Sequence, residues 1–354
     1  MDETQRSFLR DLLSVSTPSG FETVGQRRWL SYVSEYADET RTDAYGNAVA
    51  VHEGAPDGPS IAITGHGDEI GMMVRAITDE GFLQLSRIGG SDRTVTRGQH
   101  VTVHTDDGPV DGVIGQVAIH LRKSDDETYD EIAEQHVDIG VEEGDDARAL
   151  VDVGDPVTLN TEITELTDGR LAARGMDNRV GTWTAAEAFR RAVETDPDAT
   201  VYAISTVQEE LGLRGAQMVG FELEPDAVVA VDVTHATDHP DSPSVRGSDV
   251  ELGGGPVVAR GSANHPAIVD AVRAVAADSE IDLQLAAAGT RTGTDADAFY
   301  TSRGGIPSLN LGIPNRYMHT PVEVVDRDDL DSAAALLAAT AVRLDEFAPF
   351  GVDL

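Results

Sequence analysis

The stretch Thr206-Val207-Gln208-Glu209-Glu210-Leu211-Gly212 follows a run as apolar as Val201-Tyr202-Ala203-Ile204-Ser205. Such a run reads as a buried strand, and two adjacent carboxylates directly after it require something to hold their charge. Neighbouring side chains at the end of an extended strand point in divergent directions, so one carboxylate can bind a metal while the other faces the water bound to it. The same layout recurs along the chain. His66 and Asp68 follow Ser60-Ile61-Ala62-Ile63-Thr64, and Asp232 ends Ala227-Val228-Val229-Ala230-Val231. His319 lies in the loop after Ser308-Leu309-Asn310-Leu311, and Asp177 stands just before a helix expected from about Val180. Ligand-type residues after successive strands predict an α/β sheet whose site forms beyond the carboxyl ends of those strands.

The remaining pattern fills in around this sheet. Residues 3–16 and 22–36 carry apolar positions at helical spacing (Phe8, Leu9, Leu12, Leu13; then Trp29, Leu30, Val33), separated by the turn Ser16-Thr17-Pro18-Ser19-Gly20. Strands are expected at 47–51, 60–64, 200–206, 227–231 and 308–311, and helices at 180–193, after Gly212-Leu213-Arg214-Gly215, and at 267–277, 294–302 and 328–347. From Met72 the texture changes to short alternating runs and turns, which predicts a small β-rich domain over 72–166. Helix-and-strand alternation resumes directly afterwards, so this domain reads as an insertion into an α/β domain made of 1–71 and 167–354. The charged stretch 123–134 is expected to be a loop on its surface.

Composition narrows the function classes. The 354 residues carry a formal charge of -37, with 63 acidic against 26 basic residues, yet the hydrophobic share is an ordinary 40%, as expected of a folded protein. Lys123 is the single lysine. Molar salt shortens the Debye length to about 3 Å and screens such self-repulsion, so a halophilic, salt-filled cytoplasm is expected. The absence of cysteine excludes disulfides, thiolate metal sites and Cys nucleophiles. The start Met1-Asp2-Glu3-Thr4 lacks the layout of a signal peptide, and the longest apolar run, 333–342, is half the roughly 20 residues needed to cross a bilayer. Without a basic surface, a nucleic-acid partner is not expected either.

Imidazoles and carboxylates from five separated places suit a pair of divalent cations, Zn²⁺ or Co²⁺ most naturally, with Mn²⁺ a third option. One carboxylate must bridge the ions, and an unliganded Glu is left as general base. Each residue alone also has an ordinary reading: loop histidines for His66 and His319, a helix cap for Asp177, a solvated pair for Glu209 and Glu210. Together they are poorly explained in that way.

At these residues the chain resembles the M42 family of metallo-aminopeptidases, the tetrahedral (TET) aminopeptidases. The resemblance rests on Gly65-His66-Gly67-Asp68-Glu69-Ile70-Gly71, Met176-Asp177-Asn178-Arg179, Gln208-Glu209-Glu210-Leu211-Gly212-Leu213-Arg214-Gly215-Ala216, Val231-Asp232, Gly305-Ile306-Pro307 and Arg316-Tyr317-Met318-His319-Thr320-Pro321. It implies a mixed-sheet di-metal peptidase domain with an inserted, small barrel-like (PDZ-like) domain used for dimerisation. It further implies that Asp177 bridges the metals, that His66 and Asp232 complete one site and Glu210 and His319 the other, that Glu209 is the base and that Asp68 supports His66. The Asp177–Asn178 peptide is expected to be cis. Peptide substrates entering a hollow homododecamer built from dimers also follow from the resemblance. Gly67 stands where the family often has Met, and Thr320 where it often has Ser; neither is a ligand.

The related M20 and M28 families, peptidases or deacylases, share a similar residue order, but the long separation between His66 and Asp177 houses the extra domain and favours M42. A glycosidase with Glu209 and Glu210 as acid and nucleophile is rejected, since adjacent residues do not readily flank a sugar bond at about 5 Å or more. An inactive, metal-stabilised assembly subunit would need the ligands but not Glu209.

Overall fold

The computed structural model describes residues 1–122, 129–240, 242 and 249–352. An eight-stranded mixed sheet runs in the order Glu39–Thr42, Ala48–His52, Thr200–Thr206, Ser60–His66, Ala227–His235, Ser308–Asn315, Val257–Arg260 and Gln284–Ala287. Its four central strands, from Thr200–Thr206 to Ser308–Asn315, are parallel, so their carboxyl ends share one edge. They are buried along almost their whole length, which explains why their sequences are continuous apolar runs instead of alternating ones.

The helix Met176–Val193 lies on this sheet and is buried on nearly every face, with Val180, Trp183 and Phe189 fully enclosed. Helices Glu3–Leu13, Thr23–Val33 and Arg327–Val342 pack against it. Both tryptophans satisfy their indole N–H inside this layer: Trp29 donates to the Thr182 carbonyl at 2.9 Å and Trp183 to the Gln5 carbonyl at 3.0 Å. Between Gly71 and Leu159 the chain leaves the sheet and closes a barrel of six strands, with its own core of Met72, Val74, Leu85, Val101, Val103 and Val157. A three-stranded antiparallel sheet of Thr164–Glu165, Arg170–Ala173 and Glu323–Asp326 then joins the return from the barrel to the C-terminal part. No helix among the described residues is long and apolar enough to cross a membrane.

Differences from the sequence reading fall at element ends and sheet edges. The first helix stops at Leu13, short of the Ser16-Thr17-Pro18 segment, because residues preceding proline avoid the helical region. The closing helix ends at Val342 and is followed by a short turn, Leu344–Glu346. The last central strand continues to Asn315, since Gly312 to Asn315 pair with Asp232 to His235; a Gly and a Pro hid this extension. Strand Glu39–Thr42 is exposed throughout and has no apolar residue to mark it. Of the stretch 123–134, residues 123–128 lie outside the described residues, whereas Ile132–Glu134 form a turn with Ile132 buried in the barrel core.

Candidate active site

The parallel strands deliver their polar residues to one place. Thr206 is in register with His66, and Asp232 with Gly312, so Glu209 and Glu210 emerge beside the imidazole and Asp232 one strand away. Asp177 enters from the start of the buried helix and His319 from the loop that follows Asn315. His66, Glu209 and Asp232 form one group, and Asp177, Glu210 and His319 a second, each offering ligand atoms within 4.8 Å of one another.

The two groups meet at Asp177. Its Oδ1 lies 3.2 Å from His66 Nε2 and its Oδ2 lies 3.2 Å from His319 Nε2. Asp232 Oδ1 and Glu209 Oε2 stand 3.7 and 3.9 Å from the same His66 nitrogen, and Glu210 Oε1 stands 3.3 Å from His319 Nε2. The Asp177–Asn178 peptide is cis. Asn178 donates to the Val231 carbonyl at 2.8 Å and accepts from Gly181 N at 2.9 Å, tying the helix start to the strand that carries Asp232.

Asp68 organises the first group. His66 Nδ1 lies 3.1 Å from the Asp68 carbonyl oxygen and 3.3 Å from its Oδ1, which leaves Nε2 to face the other carboxylates. The same carboxylate accepts from Ser19 Oγ at 2.6 Å, Glu209 N at 3.0 Å and Glu210 N at 3.2 Å. One buried residue therefore fastens the imidazole, by its carbonyl and carboxylate, and the backbone of the acidic pair, by its carboxylate.

The electrostatics divide the carboxylates: against the effect of burial, the imidazoles hold Asp177 and Asp68 below the ordinary range, whereas the others are raised. Burial pushes Glu209 up to about 10; His66 opposes this, and Asp232, Asp295 and Glu210 reinforce it. Glu210 and Asp232 are also raised, again chiefly by burial. Burial works against a charge on His66, yet Glu209, Asp177, Asp232 and Asp68 together move it well above its ordinary value. Hydrogen bonds to Asp177 and Glu210 raise His319 to about 11. A buried surplus of negative charge is asking for cations. The guanidinium groups of half-buried Arg174 and buried Arg179 do not meet that demand, because both are paired with Glu69. Imidazole and carboxylate donors without a thiolate fit divalent cations such as Zn²⁺ or Co²⁺.

Sequence reading named all the clustered residues but missed the polar groups that hold them. Glu69 is 2% exposed; it accepts from Thr17 N at 2.9 Å and pairs with Arg174 and Arg179. Arg179 also donates to the Val15 carbonyl and Thr17 Oγ1, both at 2.8 Å. Glu69 and Arg179 each lie in a motif already rich in polar residues, so although a buried charge needs a partner, nothing in the sequence marks these two as a pair. Asp295, buried at the start of helix Asp295–Thr301, accepts from Thr206 Oγ1 at 2.5 Å, and Glu323 accepts from the backbone of Asp177 at 3.3 Å.

Glycine makes two of these approaches feasible. A β-carbon at Gly90, in the barrel turn beside the site, would fall 2.7 Å from His319 Nδ1. At Gly175, where φ is +64°, a β-carbon would sit 1.8 Å from Arg179 Nη1 and 2.8 Å from Glu69 Oε2. Gly175→Ala is therefore expected to break the Glu69–Arg179 pair and displace Asp177, at a cost on the order of 3 kcal/mol, that of disrupting a buried ion pair. Denaturant unfolding at molar salt measures this, and an unchanged midpoint with unchanged metal content would contradict it.

A cleft between barrel and sheet opens beside the second group, with Ile70, Met72, Val95 and Leu159 among its apolar walls and Asp177 and His319 exposed to it. Imidazoles and carboxylates gathered at the carboxyl edge of a mixed α/β sheet are the donor set of a metal-dependent hydrolase. The chain belongs to the M42 peptidase family: the model for M42 glutamyl aminopeptidases matches residues 46–336. It is 33% identical over 339 residues to the lysyl aminopeptidase of Pyrococcus furiosus, covering 94% of each chain. The TET aminopeptidase from a marine sediment thaumarchaeote superposes with a TM-score of 0.92 at 31% identity, covering 99% of this chain and 100% of that one. The TET1 peptidase of Pyrococcus horikoshii, which can assemble into a tetrahedron or a large octahedral shell, gives 0.85 at 29% identity over 95% and 99% of the two chains. The protein is an aminopeptidase, a hydrolase of peptide bonds.

Proposed function

We propose that this aminopeptidase removes residues one at a time from the free amino ends of short peptides, at a di-metal centre held by His66, Asp177, Glu210, Asp232 and His319. The observation that carries the reading is Asp177, whose two oxygens each lie 3.2 Å from an imidazole on either side, the disposition of a bridging carboxylate. His66 and Asp232 complete one side, and Glu210 and His319 the other. When bound, two divalent cations, Zn²⁺ or Co²⁺, acidify a water, polarise the peptide carbonyl and replace the protons that the buried carboxylates otherwise share.

The chain's own residues do the rest. Asp68 holds His66 by Nδ1 and keeps the Glu209–Glu210 backbone in place. The Glu209 carboxylate takes a proton from the attacking water and delivers it to the nitrogen of the leaving amine. The surrounding carboxylates attract the positively charged amino end of the peptide, which places the first peptide bond at the centre.

The barrel, assigned to residues 72–166, serves dimerisation and assembly, while 1–71 and 167–354 form the catalytic domain. A dodecamer built from dimers is the assembly we infer, and the large assemblies of the TET1 peptidase support it. The charge of -37 with one lysine supports a protein adapted to a salt-rich cytoplasm. Peptides with free and with acetylated amino ends, incubated at molar salt with Zn²⁺ or Co²⁺, test the reading. Stepwise shortening of the free peptide and resistance of the acetylated one are expected, together with loss of activity on chelation. Rapid internal cleavage of an acetylated peptide would overturn it.

A further inference from the structure

We propose that Glu323 is a positioning residue of the metal centre: its buried carboxylate holds the backbones of Asp177 and His319 at a fixed separation. The proposal rests on the di-metal reading of those two residues. Glu323 opens the strand Glu323–Asp326, which pairs with Arg170–Ala173 so that Glu323 stands opposite Ala173, just upstream of Asp177. On its other side Val324 and Arg316 exchange backbone hydrogen bonds of 2.9 and 3.0 Å, closing the loop that carries His319. The two chain segments that supply Asp177 and His319 thus meet at this one side chain.

Among the described residues, its side-chain hydrogen bonds go to these two segments. Glu323 is 2% exposed and, among the described residues, forms no ion pair. Its Oε1 accepts from His319 N at 2.9 Å and its Oε2 from Asp177 N at 3.3 Å. Burying a carboxylate is costly, and besides the neighbouring His319 imidazole the hydrogen bonds that offset this cost both come from residues of the proposed metal centre. The loop needs such a hold. His319 has a φ of 63° and Tyr317 a φ of 64°, in a region that side-chain-bearing residues seldom adopt. Fixing the His319 amide fixes the direction in which its imidazole leaves the backbone, and fixing the Asp177 amide at the same time sets the span between the two ligands.

The two backbone donors require two acceptors. A carboxylate provides them, whereas a glutamine of the same shape provides one oxygen and turns an NH₂ group towards the other N–H. In Glu323→Gln, one of the two ions is expected to bind roughly 10–100-fold more weakly, as when an outer hydrogen-bond partner of a ligand is removed. The other ion shares Asp177 but keeps His66 and Asp232, whose placement does not depend on Glu323, and is expected to lose less affinity.

Stripped wild type and Glu323→Gln, titrated with Co²⁺ at molar salt and followed by calorimetry and visible absorption, supply the test. Circular dichroism of the stripped proteins serves as the folding control. Two ions in the wild type, with one selectively weakened in the variant, are expected. Two ions bound at wild-type affinity by the folded variant overturn the role of Glu323, while a wild type that binds none overturns the di-metal reading instead. If Glu323→Gln does not fold, Glu323→Asp takes its place with the same split expected, because it keeps the charge but lacks the reach. Amide exchange in the wild type needs no variant: slow exchange at Asp177 and His319 is expected, and fast exchange at both refutes the clamp.

Discussion

Glu209→Gln is expected to lower kcat for peptide hydrolysis by roughly 10²–10⁴-fold, the usual contribution of a general base, while both metal equivalents stay bound. The side chain keeps its size and its place, because its backbone N–H still donates to Asp68. What it loses is the ability to accept a proton from water and pass it on. Asp177→Asn is expected to behave in the opposite way. Its two oxygens face both imidazoles, so the substitution is expected to weaken both ions and abolish activity through metal loss. Elemental analysis beside steady-state kinetics separates the two cases. Near wild-type turnover in Glu209→Gln would show that another group carries the proton.

Transfer to dilute buffer is expected to dissociate the oligomer and then unfold the chain. At a formal charge of -37 with a single lysine, few surface cations are available to offset the carboxylates. Molar salt confines each charge to about 3 Å, whereas 0.01 M salt extends its reach to about 30 Å, enough for subunits to repel one another across an interface. Light scattering and circular dichroism across a KCl series measure both steps. An unchanged oligomer with full activity in dilute buffer would rule out salt dependence.

The centre of the fold was legible because its strands are buried on both faces. Their sequences are unbroken apolar runs, and a His, Asp or Glu at the end of such a run is conspicuous. His66, Asp232 and the Glu209–Glu210 pair were found in that way, and the resemblance supplied the division of labour among them. Glu323 was not legible. The sequence reading placed no element at Pro321-Val322-Glu323-Val324, and only the fold reveals that Glu323 opens a strand and is covered. The Glu69–Arg179 pair escaped for another reason: its members lie far apart in the chain, and one sequence carries no record of which distant charges meet. Asp295 resembles an ordinary acidic residue in the first turn of a helix, a placement that needs no further explanation.

The barrel departs from the sheet directly after Asp68-Glu69 and the chain returns through Arg174-Gly175 to Asp177, with Glu69 and Arg174 joined across the two crossings. The reaction centre therefore sits at a fulcrum. Glu69 follows Asp68 on the way into the barrel and Arg174 precedes Asp177 on the way out, and their ion pair ties the two crossings together, so a swing of the barrel would bear on His66 and Asp177 alike.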